Sequence, residues 1–127
     1  MKQVEFDAQD LGVLLGELTT EQFDKLDFGV IGFDDESLVN VYNACESRMA
    51  GLSTQNVLGA DLFNTVAPCM NNFLVAQKFQ DAIDDATELD EIMDYVLTLK
   101  MKPTRVKLRL LSQPQLALNY LVILRSA

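Results

Sequence analysis

The chain has 127 residues, with 19 acidic and 10 basic side chains and no histidine, so its formal net charge at pH 7 is −9. This length suits one domain, and a hydrophobic content of 49% is enough to build a core. The negative charge disfavours nucleic acid and anionic membranes as partners, because lysine and arginine make those contacts. The lack of histidine excludes His-based triads and His metal sites.

The amino-terminal residues lack a basic start followed by an apolar block, and no apolar run approaches the ~18 residues of a membrane span. We therefore expect a cytoplasmic protein without a membrane anchor. In that compartment cysteines stay reduced, which disfavours a disulfide between Cys45 and Cys69. No linker, repeat or low-complexity tract divides the chain, so we predict one domain over 1–127.

Charge is unevenly distributed along the sequence. All 19 acidic residues lie in 1–95 with only four bases, whereas 96–127 holds six bases and no acid. We interpret this as a basic, solvent-facing sheet surface near acidic helices, which gives long-range attraction within one fold.

The first two thirds of the chain predict a hairpin between helical segments. Residues 10–24 predict one or two short helices that form an N-terminal cap. The β-branched and aromatic residues of 28–34 and 38–42 predict a β-hairpin. Several short helical turns are expected over 44–61, where glycines interrupt the helix formers. A clearer amphipathic helix is expected over 73–86.

The last third changes to the period of two that is typical of half-buried strands. Apolar and polar residues alternate over 93–101 and again over 105–110. A third strand is expected over 116–124, with Tyr120, Val122 and Leu124 on one face. The order of two strands, a helical middle and three antiparallel strands predicts an α+β fold with helices over one sheet face.

Two features of the middle segment could carry chemistry. Tyr42 and Glu46 are four residues apart where the second strand gives way to helix, so one helical turn would point both toward the same side. On spacing alone, however, a tyrosine at the edge of the core beside a solvated glutamate is more common than a shared functional role. Cys69 follows Ala67 and Pro68 in an apolar stretch, and a lone cysteine in such a stretch, like Cys45, is more often a small buried hydrophobe.

At these residues the sequence resembles the photoactive yellow protein family. The matching segments are Tyr42-Asn43-Ala44-x-Glu46, Gly51, Val57-Leu58-Gly59, Leu62-Phe63, Val66-Ala67-Pro68-Cys69 and Met101-x-Pro103-Thr104-x-Val106. They occur in order, with nearly the family's spacing, from Phe28 to at least Val106. The resemblance implies a PAS-like fold: a central five-stranded antiparallel sheet with helical connections, in which 1–27 form an N-terminal helical cap and 28–127 the PAS core.

The resemblance also implies a blue-light photoreceptor rather than an enzyme. Its chromophore would be p-coumaric (4-hydroxycinnamic) acid, joined to Cys69 by a thioester, with Tyr42 and a protonated Glu46 donating hydrogen bonds to the phenolate. Light would isomerise the double bond from trans to cis, and Glu46 would then pass its proton to the phenolate. An uncompensated carboxylate left in the interior would drive partial unfolding, with the N-terminal helices as the part that loosens.

Further expectations concern the pocket and the partners. The positions that match the family's pocket, beside Cys69, Tyr42 and Glu46, are Ala67, Pro68, Leu97, Leu99 and Met101. A downstream signalling protein of unknown identity is the expected partner, with no nucleic acid and no membrane, and the chain is expected to be a monomer or a weak homodimer.

The sequence departs from the family pattern at several of these positions. Ala50 stands where the family usually has a threonine that hydrogen-bonds the tyrosine, and Leu52 stands where it often has an arginine over the chromophore. Arg48 is a candidate substitute from the previous turn. Leu97 and Leu99 stand where family members tend to have aromatic residues.

Two other functions stay open at this point. One is a chromophore-free PAS module that associates with proteins through its sheet face. The other is an enzyme with Cys69 as its nucleophile, which is disfavoured because no histidine is available to generate the thiolate.

Overall fold

A five-stranded antiparallel sheet forms the centre of the fold. The computed structural model describes residues 4–98 and 103–125. Within them the strands are β1 (Gly29–Phe33), β2 (Val39–Tyr42), β3 (Leu89–Leu97), β4 (Thr104–Ser112) and β5 (Asn119–Arg125), in the spatial order β2-β1-β5-β4-β3. The predicted α+β class and the antiparallel sheet are therefore confirmed.

Short helices precede the sheet and connect its strands. They are α1 (Leu11–Gly16), α2 (Thr20–Asp24), α3 (Ala44–Ala50), α4 (Thr54–Val57), a π-helical turn (Leu62–Val66), a 3-10 turn (Pro68–Met70) and α5 (Ala76–Asp85). None of the helices in the described ranges is long and apolar enough to cross a membrane.

The helix predicted over 73–86 begins later than expected. The Asn72 side chain accepts hydrogen bonds from the backbone N–H groups of Leu74 and Val75, which holds this segment in a turn. Phe73 is consequently 76% exposed instead of buried, and α5 begins at Ala76.

Helices cover both faces of the sheet, so the prediction of helices over one face is wrong. The helices and turns from α3 to α5 lie against one face and build a helix-side core with the sheet, which includes Tyr42, Met70, Phe79, Leu97, Leu108, Leu121 and Ile123. The N-terminal helices build a cap-side core on the other face, which includes Leu11, Leu15, Phe23, Val30, Tyr120 and Val122. β1 is buried along its whole length and β5 over most of its length, so both sheet faces need a cover.

Arg109 is buried and Arg125 is partly buried, which corrects the expected solvent-facing basic surface. Arg109 lies inside the fold, where it forms two hydrogen bonds of 2.9 Å to the carboxylate of Asp90. Its guanidinium also donates to the backbone oxygens of Phe6 and Ala8, at 2.9 and 2.6 Å. Arg109 thereby ties the segment before α1 to the middle of the sheet. Arg125, the partly buried base, belongs to the site described next.

Candidate functional site

Tyr42 and Glu46 enter the interior where β2 ends and α3 begins. Asn43 caps α3, since its side-chain oxygen accepts a hydrogen bond from the backbone N–H of Glu46 at 3.1 Å. This cap starts the helix at Ala44 and places Glu46 in the first turn. Tyr42 is 3% exposed and Glu46 only 2%. The interpretation of a boundary tyrosine with a solvated glutamate is therefore wrong.

Glu46 forms a two-pronged ion pair with Arg125 at the end of β5. Arg125 Nη1 lies 2.6 Å from Glu46 Oε1, and Nη2 lies 3.0 Å from Oε2. The Arg125 side chain is 10% exposed, so the pair is largely shielded from water. Burial raises the pKa of Glu46 above its ordinary value, and the hydrogen bonds and charge of Arg125 act in the opposite direction.

Gly29 of β1 leaves the space that the Glu46 carboxylate occupies. A Cβ atom at this position would overlap Glu46 Oε1 and would lie 3.2 Å from the Cβ and Cδ atoms of Glu46. The missing side chain therefore allows α3 to bring its glutamate against the sheet.

The Tyr42 hydroxyl is held in its neutral form. Burial raises the pKa of Tyr42 well above its ordinary value, the nearby charge of Glu46 raises it further, and Arg125 partly offsets the two. Tyr42 can therefore act as a hydrogen-bond donor at neutral pH.

Cys69 lies in the 3-10 turn, at the edge of the same helix-side core. It is a free thiol, is partly buried and packs against the core residues. Its backbone oxygen accepts hydrogen bonds from the hydroxyl of Tyr95 at 2.8 Å and from the side-chain amide of Asn72 at 3.2 Å. The same Asn72 amide donates to the Tyr95 hydroxyl at 2.7 Å. Two side chains thus fix the backbone that carries the thiol.

The other predicted site residues occupy different environments. Ala67 and Leu97 are buried in the helix-side core, while Pro68, in the 3-10 turn, is exposed. Leu99 and Met101 lie outside the described residues. Leu52, which stands where the family often has an arginine, is partly buried and packs against the same core.

Arg125 is the site residue that the sequence analysis missed. Arg48, named as a candidate substitute, is exposed, and Arg125 supplies the positive charge from the last strand. The sequence contained one signal for Arg125, because alternation along β5 places residues 121, 123 and 125 on the same face. In the structure this face meets the helix-side core through Leu121 and Ile123. Cys45 is buried, as the sequence suggested, and burial raises the pKa of its thiol.

Hydrogen bonds connect the site to the N-terminal helices. The Asn43 amide donates to the backbone oxygens of Phe23 in α2 and of Phe28, both at 3.0 Å. The Asp24 carboxylate accepts a bond of 2.8 Å from the backbone N–H of Ala44, the first residue of α3. A shift of α3 would therefore act directly on the end of α2.

Comparison with known proteins decides the family. No family model matches the chain. The photoactive yellow protein of Halochromatium salexigens is 30% identical over 110 residues, which is 87% of this chain and 87% of that protein. The chain belongs to the photoactive yellow protein family. The photoactive yellow protein of Rhodothalassium salexigens is 29% identical, with the same coverage of both chains.

Solved structures agree with this assignment. The photoactive yellow protein domain of the sensor histidine kinase Ppr from Rhodospirillum centenum superposes with a TM-score of 0.80 at 28% identity, covering 88% of this chain and 97% of that domain. The PAS domain of nitrogen regulation protein NR(II) from Vibrio parahaemolyticus shares the fold at 11% identity, with a TM-score of 0.60 over 87% of this chain and 99% of that one. The chain is thus a PAS-fold photoreceptor of the photoactive yellow protein type.

Proposed function

We propose that the protein is a blue-light receptor that carries p-coumaric acid as a thioester on Cys69. The observation that carries the proposal is a pair of buried acids: Glu46, which is paired with Arg125, and Tyr42, which belongs to the helix-side core that Cys69 packs against. A phenolate inside a protein is stable only where strong donors or a counter-charge meet it. A tyrosine hydroxyl, a carboxyl group and a guanidinium meet this need, so the residues fit the group.

Attachment is a thioester exchange with an activated thioester of p-coumaric acid. The sulfur of Cys69 forms a bond to the acyl carbon, the original carbon–sulfur bond breaks, and the leaving thiol takes the proton. Tyr95 and Asn72 support this step by holding the Cys69 backbone in place. The chain needs no catalytic role beyond its own modification.

Each remaining residue contributes to binding or to exclusion of water. Tyr42 donates a hydrogen bond to the phenolate, and Glu46 donates another when it is protonated, a form that burial favours. The residues that we propose to line the space around the chromophore are Ala67, Pro68, Leu97, Leu99 and Met101.

The bound group supplies a double bond that changes from trans to cis when it absorbs blue light. Glu46 would then pass its proton to the phenolate oxygen and would itself be left as a buried carboxylate. The altered charge on α3 weakens the two hydrogen bonds that join α3 to α2, one from the Asn43 cap to the backbone oxygen of Phe23 and one from the backbone N–H of Ala44 to the Asp24 carboxylate. Partial unfolding of this N-terminal cap is the proposed signal to a downstream protein.

The absorption spectrum tests the proposal. Purified protein supplied with a p-coumaroyl thioester should acquire a visible band that bleaches under blue light and recovers in the dark. Cys69→Ala should give no band, whereas the matched variant Cys45→Ala, which removes the other thiol, should keep it. A protein that stays colourless under these conditions would instead be a chromophore-free PAS interaction module.

Hydrogen exchange tests the proposed signal separately. Amides of residues 4–27 should exchange faster under blue light than in the dark, while those of β4 and β5 should change little. Identical exchange of 4–27 in both conditions would refute the loosening of the cap.

A further inference from the structure

The ion pair between Arg125 and Glu46 places a positive charge where the light-driven reaction would otherwise leave an unpaired negative one. Both side chains are largely buried, and the two contacts of 2.6 and 3.0 Å use both oxygens of the carboxylate. A guanidinium matches a carboxylate in this two-pronged geometry better than any other side chain. A buried carboxylate without such a partner costs several kcal/mol.

We propose that Arg125 is the counter-ion of the site: it holds Glu46 as a carboxylate before the chromophore is attached and receives that carboxylate again after light. This proposal rests on the proposed function for its second half only, because its first half concerns only the contact between Arg125 and Glu46.

The charges balance at every stage under this proposal. Before attachment, the negative charge of Glu46 cancels the positive charge of Arg125. When a neutral phenol enters, Glu46 accepts its proton, and Arg125 then balances the phenolate. After isomerisation Glu46 returns the proton, and its carboxylate pairs with Arg125 once more. Tyr42 stays neutral throughout, since its burial opposes ionisation.

Arg125 consequently limits the size of the structural change. Without it, the carboxylate formed in the light would have no partner in the interior, and solvation by water would require α3 to move further from the sheet. With it, the carboxylate has a partner at the end of β5, so only part of the cap needs to loosen. Arg125 is therefore a positioning residue for the charge on Glu46.

Infrared spectroscopy of the chromophore-free protein tests the first half. A protonated buried carboxyl group absorbs as a separate carbonyl band that an ionised one lacks, and subtraction of the Glu46→Gln spectrum assigns it. At neutral pH we expect no such band in the unmodified chain. Arg125→Gln should show a band with the intensity of one protonated carboxyl group, and Arg125→Lys, which keeps the positive charge, should show none. The matched control Arg105→Gln, at an exposed position of β4, should also show none.

The unmodified chain keeps this test valid even if Arg125→Gln fails to fold. A protonated Glu46 band in the unmodified chromophore-free protein would overturn the proposal, as would its absence from a folded Arg125→Gln protein.

Hydrogen exchange of the loaded protein tests the second half. The increase on illumination over residues 4–27 should be at least tenfold larger in Arg125→Gln than in the unmodified chain and in Arg105→Gln. An equal increase in all three would refute the role of Arg125 in the light. If no chromophore attaches to any of them, the proposed function fails, while the infrared result on the chromophore-free protein still decides the ion pair.

Discussion

Replacement of Gly29 by alanine would test whether the position of Glu46 depends on the bare backbone of β1. The added Cβ would overlap Glu46 Oε1 and would lie 3.2 Å from two further atoms of the same side chain. The carboxylate cannot move aside without giving up its bonds to Arg125, and α3 cannot retreat without straining the cap that Asn43 provides. The strain therefore falls on the ion pair.

The expected cost is the sum of two destabilising effects and one smaller stabilising effect. Overpacking of a well-filled interior costs about 1–3 kcal/mol, and loosening the buried ion pair adds part of the ~3–5 kcal/mol that loss of one partner costs. The stiffer backbone of alanine returns about 0.5–1 kcal/mol. We therefore expect Gly29→Ala to lower the free energy of unfolding by about 3 kcal/mol.

Urea unfolding of the chromophore-free protein measures this loss. The matched control is Gly16→Ala at the end of α1, where an added Cβ would meet no atom within 4 Å. We expect the control to be unchanged or more stable by about 0.5 kcal/mol. If Gly29→Ala unfolds at the same urea concentration as the control, the close approach of Glu46 to β1 is wrong.

Three further predictions concern other parts of the same network. Asn43→Ala removes four buried hydrogen bonds and should cost about 3 kcal/mol in urea unfolding, and a loss below about 1 kcal/mol would contradict its role in joining α2 to α3. Arg109→Gln should speed amide exchange over 4–10 about tenfold, equivalent to ~1.4 kcal/mol, because the backbone bonds that hold this segment are weakened; unchanged exchange would exclude the tie. Because burial raises the pKa of Glu46 in the folded state, its contribution is favourable below the unfolded pKa and is lost as pH rises through the folded value. As pH rises, the unmodified chain should therefore lose stability relative to Glu46→Gln. A difference in unfolding free energy between the two proteins that does not change with pH would refute this.

Local sequence patterns predicted the strands of the sheet but not all of their ends, since β3 begins at Leu89, four residues before the predicted alternation. Tyr120, Val122 and Leu124 do share a face of β5, since they pack on the cap-side core, as the period of two indicated. The change from strand to helix after Tyr42 was also predicted, and the structure shows that Asn43 caps the helix and sets Glu46 in its first turn. In these places short-range preferences and the final fold agree.

Long-range pairing was not predictable in the same way. Arg125 and Glu46 are 79 positions apart, and the sequence around either residue does not indicate that it pairs with the other. The coverage of both sheet faces was missed because only alternate residues of β5 were assigned to a face, although the run from Tyr120 to Leu124 is apolar throughout. The start of α5 moved because the Asn72 side chain competes for backbone N–H groups, an effect that apolar periodicity does not contain.

The intact mass of the protein after exposure to a p-coumaroyl thioester tests the central claim most directly. We predict a gain of one hydroxycinnamoyl group per chain, located on Cys69 by peptide mapping and lost in Cys69→Ala. An unchanged mass, or an adduct on Cys45 that persists in Cys69→Ala, would contradict the account.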